Sequence, residues 1–161
     1  MHELTVMAER IAARLIGRNE TVAVAESSAG GLVSAALLAT PGASRFFVAG
    51  SVIYTQTARQ TLLAITPGDM AGLQPATEPY AALLAKTVRQ RVGTTWGLGE
   101  TGAAGPSGNR YGDAPGHSCI AVFGRHELRH TVATGSAERW ANMQDFALAS
   151  LALLHDALTM A

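Results

Sequence analysis

Val22 to Ala25 form an unbroken apolar run, followed at once by the polar turn Glu26-Ser27-Ser28-Ala29-Gly30-Gly31 and then by Leu32-Val33-Ser34-Ala35-Ala36-Leu37-Leu38. A strand without polar alternation is buried on both faces, so the chain must supply a covering layer on each side of its sheet. The turn predicts a helix starting near Ser28 or Ala29, whose first N–H groups lack intrahelical partners and attract anions or carbonyl oxygens. Gly30 and Gly31 permit close backbone approach there. Two uses of the serines fit this pattern: helix capping, or a hydroxyl presented to a ligand.

The charge balance narrows the partners. With 12 basic and 12 acidic residues, the chain lacks the positive surplus of a general nucleic-acid binder, and a small-molecule ligand is the expectation. A 48% hydrophobic content over 161 residues suits one domain, residues 1–161, with a sizeable core. The single cysteine, Cys119, leaves no internal disulfide and no multi-cysteine metal cage, and its apolar surroundings predict a buried thiol. Neither a signal peptide nor a membrane-length apolar run is evident, so the expected setting is soluble and cytoplasmic.

In order along the chain, apolar spacing predicts an amphipathic helix over 2–17, with Leu4, Met7, Ala8, Ile11 and Leu15 on one side. Helix 31–39 stops at Thr40-Pro41-Gly42, strand 46–54 ends on Tyr54, and a short helix over 56–65 carries Ala58, Leu62 and Ile65. Thr77-Glu78-Pro79 opens a helix reaching about Val92, with Thr77 as its cap. A strand over 94–100, interrupted by Gly97 and Gly99, enters the irregular stretch 101–116. In so small a domain a loop of that length is a ligand-loop candidate, and it bears Gly105, Asn109, Arg110, Tyr111 and Asp113. Strands 118–123 and 127–134 flank a tight turn and predict an antiparallel hairpin. A final helix over 137–158 aligns Trp140, Met143, Phe146, Ala147, Leu151 and Leu154. That face fits core packing and a homodimer contact equally well.

These elements predict an α/β fold, a mostly parallel sheet with an antiparallel hairpin and helices on both faces. Ligands in such sheets bind beyond the carboxyl ends of the strands. The segments 26–31, 54–56 and 100–116 all follow strand ends and are expected to share a cleft.

Ala25-Glu26-Ser27-Ser28-Ala29-Gly30-Gly31, Pro41-Gly42-Ala43-Ser44, Tyr54, Thr77-Glu78-Pro79 and Gly102-Ala103-Ala104-Gly105-Pro106 together resemble, in order and interval, the motifs of the CinA C-terminal domain family, which includes nicotinamide-nucleotide amidases. The resemblance covers roughly residues 5–155. It implies a three-layer α/β/α sandwich and, in active members, deamidation of nicotinamide mononucleotide to nicotinate mononucleotide and ammonia, with no metal or cofactor. It places the nucleophile on Ser27, with Tyr54 and Arg59 as further catalytic positions. Candidates for holding the substrate are Glu26, Ser28, Gly30, Gly31, Thr77, Gly105, Asn109, Arg110 and Arg139. The amides near Ala29 to Gly31 are the expected oxyanion donors. No room is expected for the amino-terminal domain that some relatives carry.

Three departures matter chemically. The family's lysine is Arg59, which stays protonated and cannot take a proton from serine. The bases left open are Tyr54 with a depressed pKa, His117 after the long loop, and Glu26. The family's Cys-Thr after the serine is Ser28-Ala29. The charged loop after the Gly-Pro motif is rebuilt as Ser107 to Ser118. A catalytically impaired or repurposed module that binds a nucleotide-like ligand is therefore the alternative to an amidase.

Overall fold

The computed structural model describes residues 1–160. Its elements are α1 (His2–Arg18), β1 (Val22–Glu26), α2 (Leu32–Leu38), a 3-10 turn (Ala43–Arg45), β2 (Phe47–Val52), α3 (Gln56–Leu63), α4 (Glu78–Val92), β3 (Trp96–Ala103), β4 (His117–Phe123), β5 (Glu127–Ala133) and α5 (Arg139–Thr159). The sheet order is β2-β1-β3-β4-β5. β1 pairs in parallel with β2 and β3, whereas β4 is antiparallel to both β3 and β5, so four strands share one direction and β4 alone is reversed. This is the α/β arrangement with a hairpin that the element pattern predicts.

Alternation along β1 separates two cores. Val22 and Val24 point toward α1, α2 and α5, where they join Trp96, Leu98, Phe146 and Leu151. Ala23 and Ala25 face α4 and its Leu84, Val88 and Tyr80. The second face is built of small residues because α4 lies close upon it. A Cβ on Gly97 would stand 2.1 Å from the Ala85 carbonyl oxygen, and one on Gly99 would stand 2.1 Å from that of Ala81. These glycines therefore do not interrupt β3, which runs through them to Ala103.

Other boundaries shift for identifiable reasons. α2 begins at Leu32, because Gly30 and Gly31 take positive φ of 67° and 96° and hold the turn out of the helix. β2 ends at Val52, leaving Tyr54 two residues beyond it. α3 ends at Leu63, with Ala64 in the left-handed conformation, and Leu63 is buried where Leu62 was expected. α5 begins at Arg139, and Trp140 at its start lies 59% exposed, off the core face that Phe146, Leu151 and Leu154 occupy.

The chain steps from β1 outward to β2 and then back across β1 to β3. At such a switch point the flanking connections leave on opposite sides and open a crevice at the strand ends. The turn after β1 and the loop after β3 border that crevice.

Candidate active site

Two buried carboxylates organise the turn after β1. Glu26, the last residue of the strand, accepts hydrogen bonds from the N–H groups of Gly31 at 2.8 Å, Val33 at 3.1 Å and Ser34 at 2.9 Å, and from Ser34 Oγ at 2.8 Å. It caps α2, the task that local pattern offered to the serines. Burial raises the Glu26 pKa, opposed by the hydrogen bonds from Ser34 and Val33 and assisted by the neighbouring Glu100. Glu100, on β3, accepts from Ser27 N–H and Ala29 N–H, each at 2.9 Å, from Ser118 Oγ at 2.7 Å, and from Ser28 Oγ in a very short contact. Both glutamates have no solvent exposure.

This arrangement corrects the expected oxyanion site. The Ala29 amide is committed to Glu100, the Gly30 amide to the Ser27 carbonyl at 3.0 Å, and the Gly31 amide to Glu26. None of the three is free for a ligand. Glu26, Gly30 and Gly31 therefore shape the turn and do not line the cleft, and a Cβ on Gly30 would stand 2.5 Å from Met143 Cε. Ser28 is buried with its hydroxyl proton directed at Glu100. Ser27 Oγ, by contrast, makes no hydrogen bond to any described residue and lines the cleft.

The cleft measures about 340 Å³ and brings together Ser27, Tyr54, Arg59, Asn109 and Arg110 from the sequence-derived set. An adjoining hollow of about 170 Å³ holds Ser28, Gly105 and Arg139 and shares Tyr54, Gly102 and Asn109 with the first. Tyr54 bridges them, its hydroxyl oxygen accepting from Arg139 Nη2 at 3.3 Å. Arg139 Nη1 also donates to the Gly105 carbonyl. Arg110 lies over the Tyr111 ring at 5.1 Å and donates to its hydroxyl at 2.9 Å. Asn109 ties the loop together: its Oδ1 accepts from Tyr111 N–H and Asp113 N–H, and its Nδ2 donates to Asp113.

Arg59 reaches the cleft from α3 with its guanidinium carbon 5.8 Å from the Tyr80 ring centre. Its Nε is enclosed without a hydrogen-bond partner among the described residues. Burial raises the Tyr80 pKa and Arg59 opposes the shift, so the phenol is a neutral donor at pH 7. Arg59, Arg110 and Arg139 form no ion pair among the described residues. The residues lining the cleft include no Asp, Glu, His or Lys.

Two expected residues lie elsewhere. Thr77 caps α4, accepting from Tyr80 N–H at 3.3 Å and donating to the Gln74 carbonyl at 2.6 Å, outside the cleft. His117 donates from Nε2 to the Ala76 carbonyl at 2.8 Å and stands 3.6 Å from Asp113, so its ring is engaged there and does not line the cleft. Cys119 is buried, as expected, and burial pushes its thiol pKa up.

Sequence reasoning missed Tyr80, Glu100 and Asn142. Glu100 was visible as a charged residue within the apolar run of β3. Asn142, fully buried on the apolar face of α5, donates to the Ala104 and Ser136 carbonyls at 2.7 and 2.8 Å and accepts from Thr134 at 2.6 Å. It pins the ligand loop to the helix. Among the described residues no cluster of three or more His, Cys, Asp and Glu assembles for a metal, and no helix is long and apolar enough to cross a membrane.

Comparison with known proteins places this geometry in a family. The model of the CinA C-terminal domain matches residues 4–158. A CinA-like protein of Anaeromyxobacter sp. (strain K) is 40% identical over 116 residues, 72% of this chain and 28% of that protein. One from Gloeobacter violaceus is 36% identical over 133 residues, 83% of this chain and 31% of that protein. The chain thus spans under a third of the length of these relatives. The crystal structure of a competence-damaged protein (CinA) superfamily protein from Enterobacter cloacae superposes with a TM-score of 0.89 at 26% identity, covering 97% of this chain and 92% of that one. The competence/damage inducible protein CihA of Agrobacterium tumefaciens gives a TM-score of 0.89 at 25% identity, covering 98% and 96%. With the family model matched over nearly its whole length and the same fold in these solved structures, the chain belongs to the CinA C-terminal domain family.

Proposed function

We propose that the cleft takes a pyridine mononucleotide or a related small carboxamide, in the manner of a nicotinamide-nucleotide amidase, with Ser27 facing the carboxamide. One observation carries the reading: Ser27 Oγ is the hydroxyl of its turn that is left unengaged, and it opens on the cleft where Tyr54 and Arg59 also stand. Arg110 and Arg139 supply cations for a phosphate, as guanidinium groups do well. Tyr80 and Tyr111 supply ring faces for a heterocycle. In the reaction Ser27 Oγ adds to the carbonyl carbon, the C–N bond breaks with release of ammonia, and water then hydrolyses the ester to the acid and the free serine. With the turn's amides committed, the donors available to the developing oxyanion are Arg59 and the cleft phenols.

The test is ammonia release from nicotinamide mononucleotide by the purified protein. Ser27→Ala is expected to lower it by at least about a hundredfold. Absence of Ser27-dependent turnover at high enzyme concentration rejects this substrate.

A second reading rests on a separate observation: the cleft lining holds no carboxylate, imidazole or amine to take the serine proton. On that reading the chain is a module that binds a nucleotide-like ligand without turning it over. Ser27→Ala then leaves affinity unchanged, Arg110→Ala and Arg139→Ala weaken it, and Arg59→Lys gains amidase activity. Turnover by the wild type excludes this alternative.

A further inference from the structure

The cleft is rich in donors and poor in acceptors. Asn109 Oδ1 is occupied by two loop amides, Thr101 Oγ1 accepts from Ala76 N–H at 3.1 Å, and Thr55 Oγ1 accepts from Ala58 N–H at 3.1 Å. The Tyr54 and Tyr111 oxygens already accept from Arg139 and Arg110, which turns their own O–H groups outward as donors. What remains of side-chain acceptors in the lining is the Ser27 hydroxyl and the amide of the exposed Gln56. Against this stand the guanidinium of Arg59, without an anionic partner among the described residues, and the protonated phenol of Tyr80.

The ligand group that meets such a wall is decided by its own donors. A carboxamide brings an NH2 with two hydrogens, and Arg59, which offers donors alone, replaces the water of neither. A carboxylate brings acceptors alone and a planar shape that a guanidinium engages through paired N–H groups. We infer that the cleft selects the acid over the amide: its preferred ligand is a nucleotide-like molecule whose heterocycle carries a planar carboxylate set against Arg59, with its phosphate toward Arg110 and Arg139. The inference rests on the pyridine-nucleotide reading of the cleft and sharpens it, because the acid is the product of the proposed amidase and the resident ligand of the proposed binding module. Arg59 in this role determines specificity.

Isothermal titration of nicotinate mononucleotide and nicotinamide mononucleotide into the wild-type chain, and into Ser27→Ala to prevent turnover of the amide, tests the inference. The acid is expected to bind about tenfold or more tightly than the amide, the range set by a hydrogen-bonded charge. Arg59→Gln is expected to abolish that preference by weakening the acid more than the amide, with the circular dichroism melt of the variant confirming that it folds. Equal or tighter binding of the amide overturns the inference and leaves the pyridine-nucleotide reading standing. Failure of both ligands to bind overturns that reading as well. Retention of the acid preference in folded Arg59→Gln shows that the selection lies elsewhere and rejects the role of Arg59.

Discussion

Single residues divide here into those that face the ligand and those that hold them there. Glu100 belongs to the second kind, because one carboxylate receives two amides and two hydroxyls from the turn and from β4. A glutamine in its place keeps one acceptor atom but turns an NH2 against groups that are themselves donors. Glu100→Gln is therefore expected to lose about 2–4 kcal/mol in urea denaturation, against about 1 kcal/mol for Ser118→Ala, which removes one bond. A loss under about 0.5 kcal/mol for Glu100→Gln refutes its organising role. Glu26 makes a different prediction. Its pKa is raised by burial above its ordinary value of 4.5, so the folded state binds the proton more tightly than the unfolded chain. The contribution is complete below pH 4.5 and is lost as pH rises through the folded value. Urea midpoints measured upward from pH 4.5 are expected to fall in the wild type relative to Glu26→Gln. A difference independent of pH contradicts the assignment. Ser27, Tyr54 and Arg59 could be placed from sequence because motif spacing and strand ends mark them. The committed amides of Ser27 and Ala29 could not, since their acceptor Glu100 comes from a strand more than seventy residues away.

At the scale of elements, type was easier to read than boundary. The apolar runs and turn residues locate all five helices and all five strands, because hydrophobic period and Gly/Pro punctuation are local signals. The extents of α2 and β3 depend on partners distant in sequence. Gly97 and Gly99 suggest a broken strand locally, but the carbonyls of α4 occupy the space where side chains would stand. Gly99→Ala is expected to cost about 1–3 kcal/mol through overpacking, measured by thermal melting and equilibrium denaturation. The same substitution at Gly93, where a Cβ has nothing within 4 Å, meets no clash and loses only the ease of its positive φ of 71°. A larger loss at Gly93 than at Gly99 contradicts the close approach of α4.

For the molecule as a whole, zero formal net charge conceals a local imbalance. Arg59, Arg110 and Arg139 gather at one end of the sheet without carboxylate partners among the described residues, while Glu26 and Glu100 are sealed beneath the turn and satisfied there, and Asp113 is engaged by Asn109. Affinity for a phosphate-bearing ligand is therefore expected to weaken as salt is raised from roughly 20 mM to 200 mM in titration calorimetry, as screening of a partly exposed site requires. Salt-independent binding argues against charge recognition at this cleft. Composition excluded a broadly basic surface, but only the fold shows that the arginines converge, since they lie on α3, the loop after β3 and the start of α5. The glycine-lined approach of α4 bears on the same cleft. Tyr80 stands in the first turn of that helix, so two absent methyl groups on β3 act as a shim that sets how far its hydroxyl reaches over the floor. Ligand size and reach can thus be tuned from beneath the sheet, by substitutions that touch neither the bound molecule nor the loop that surrounds it.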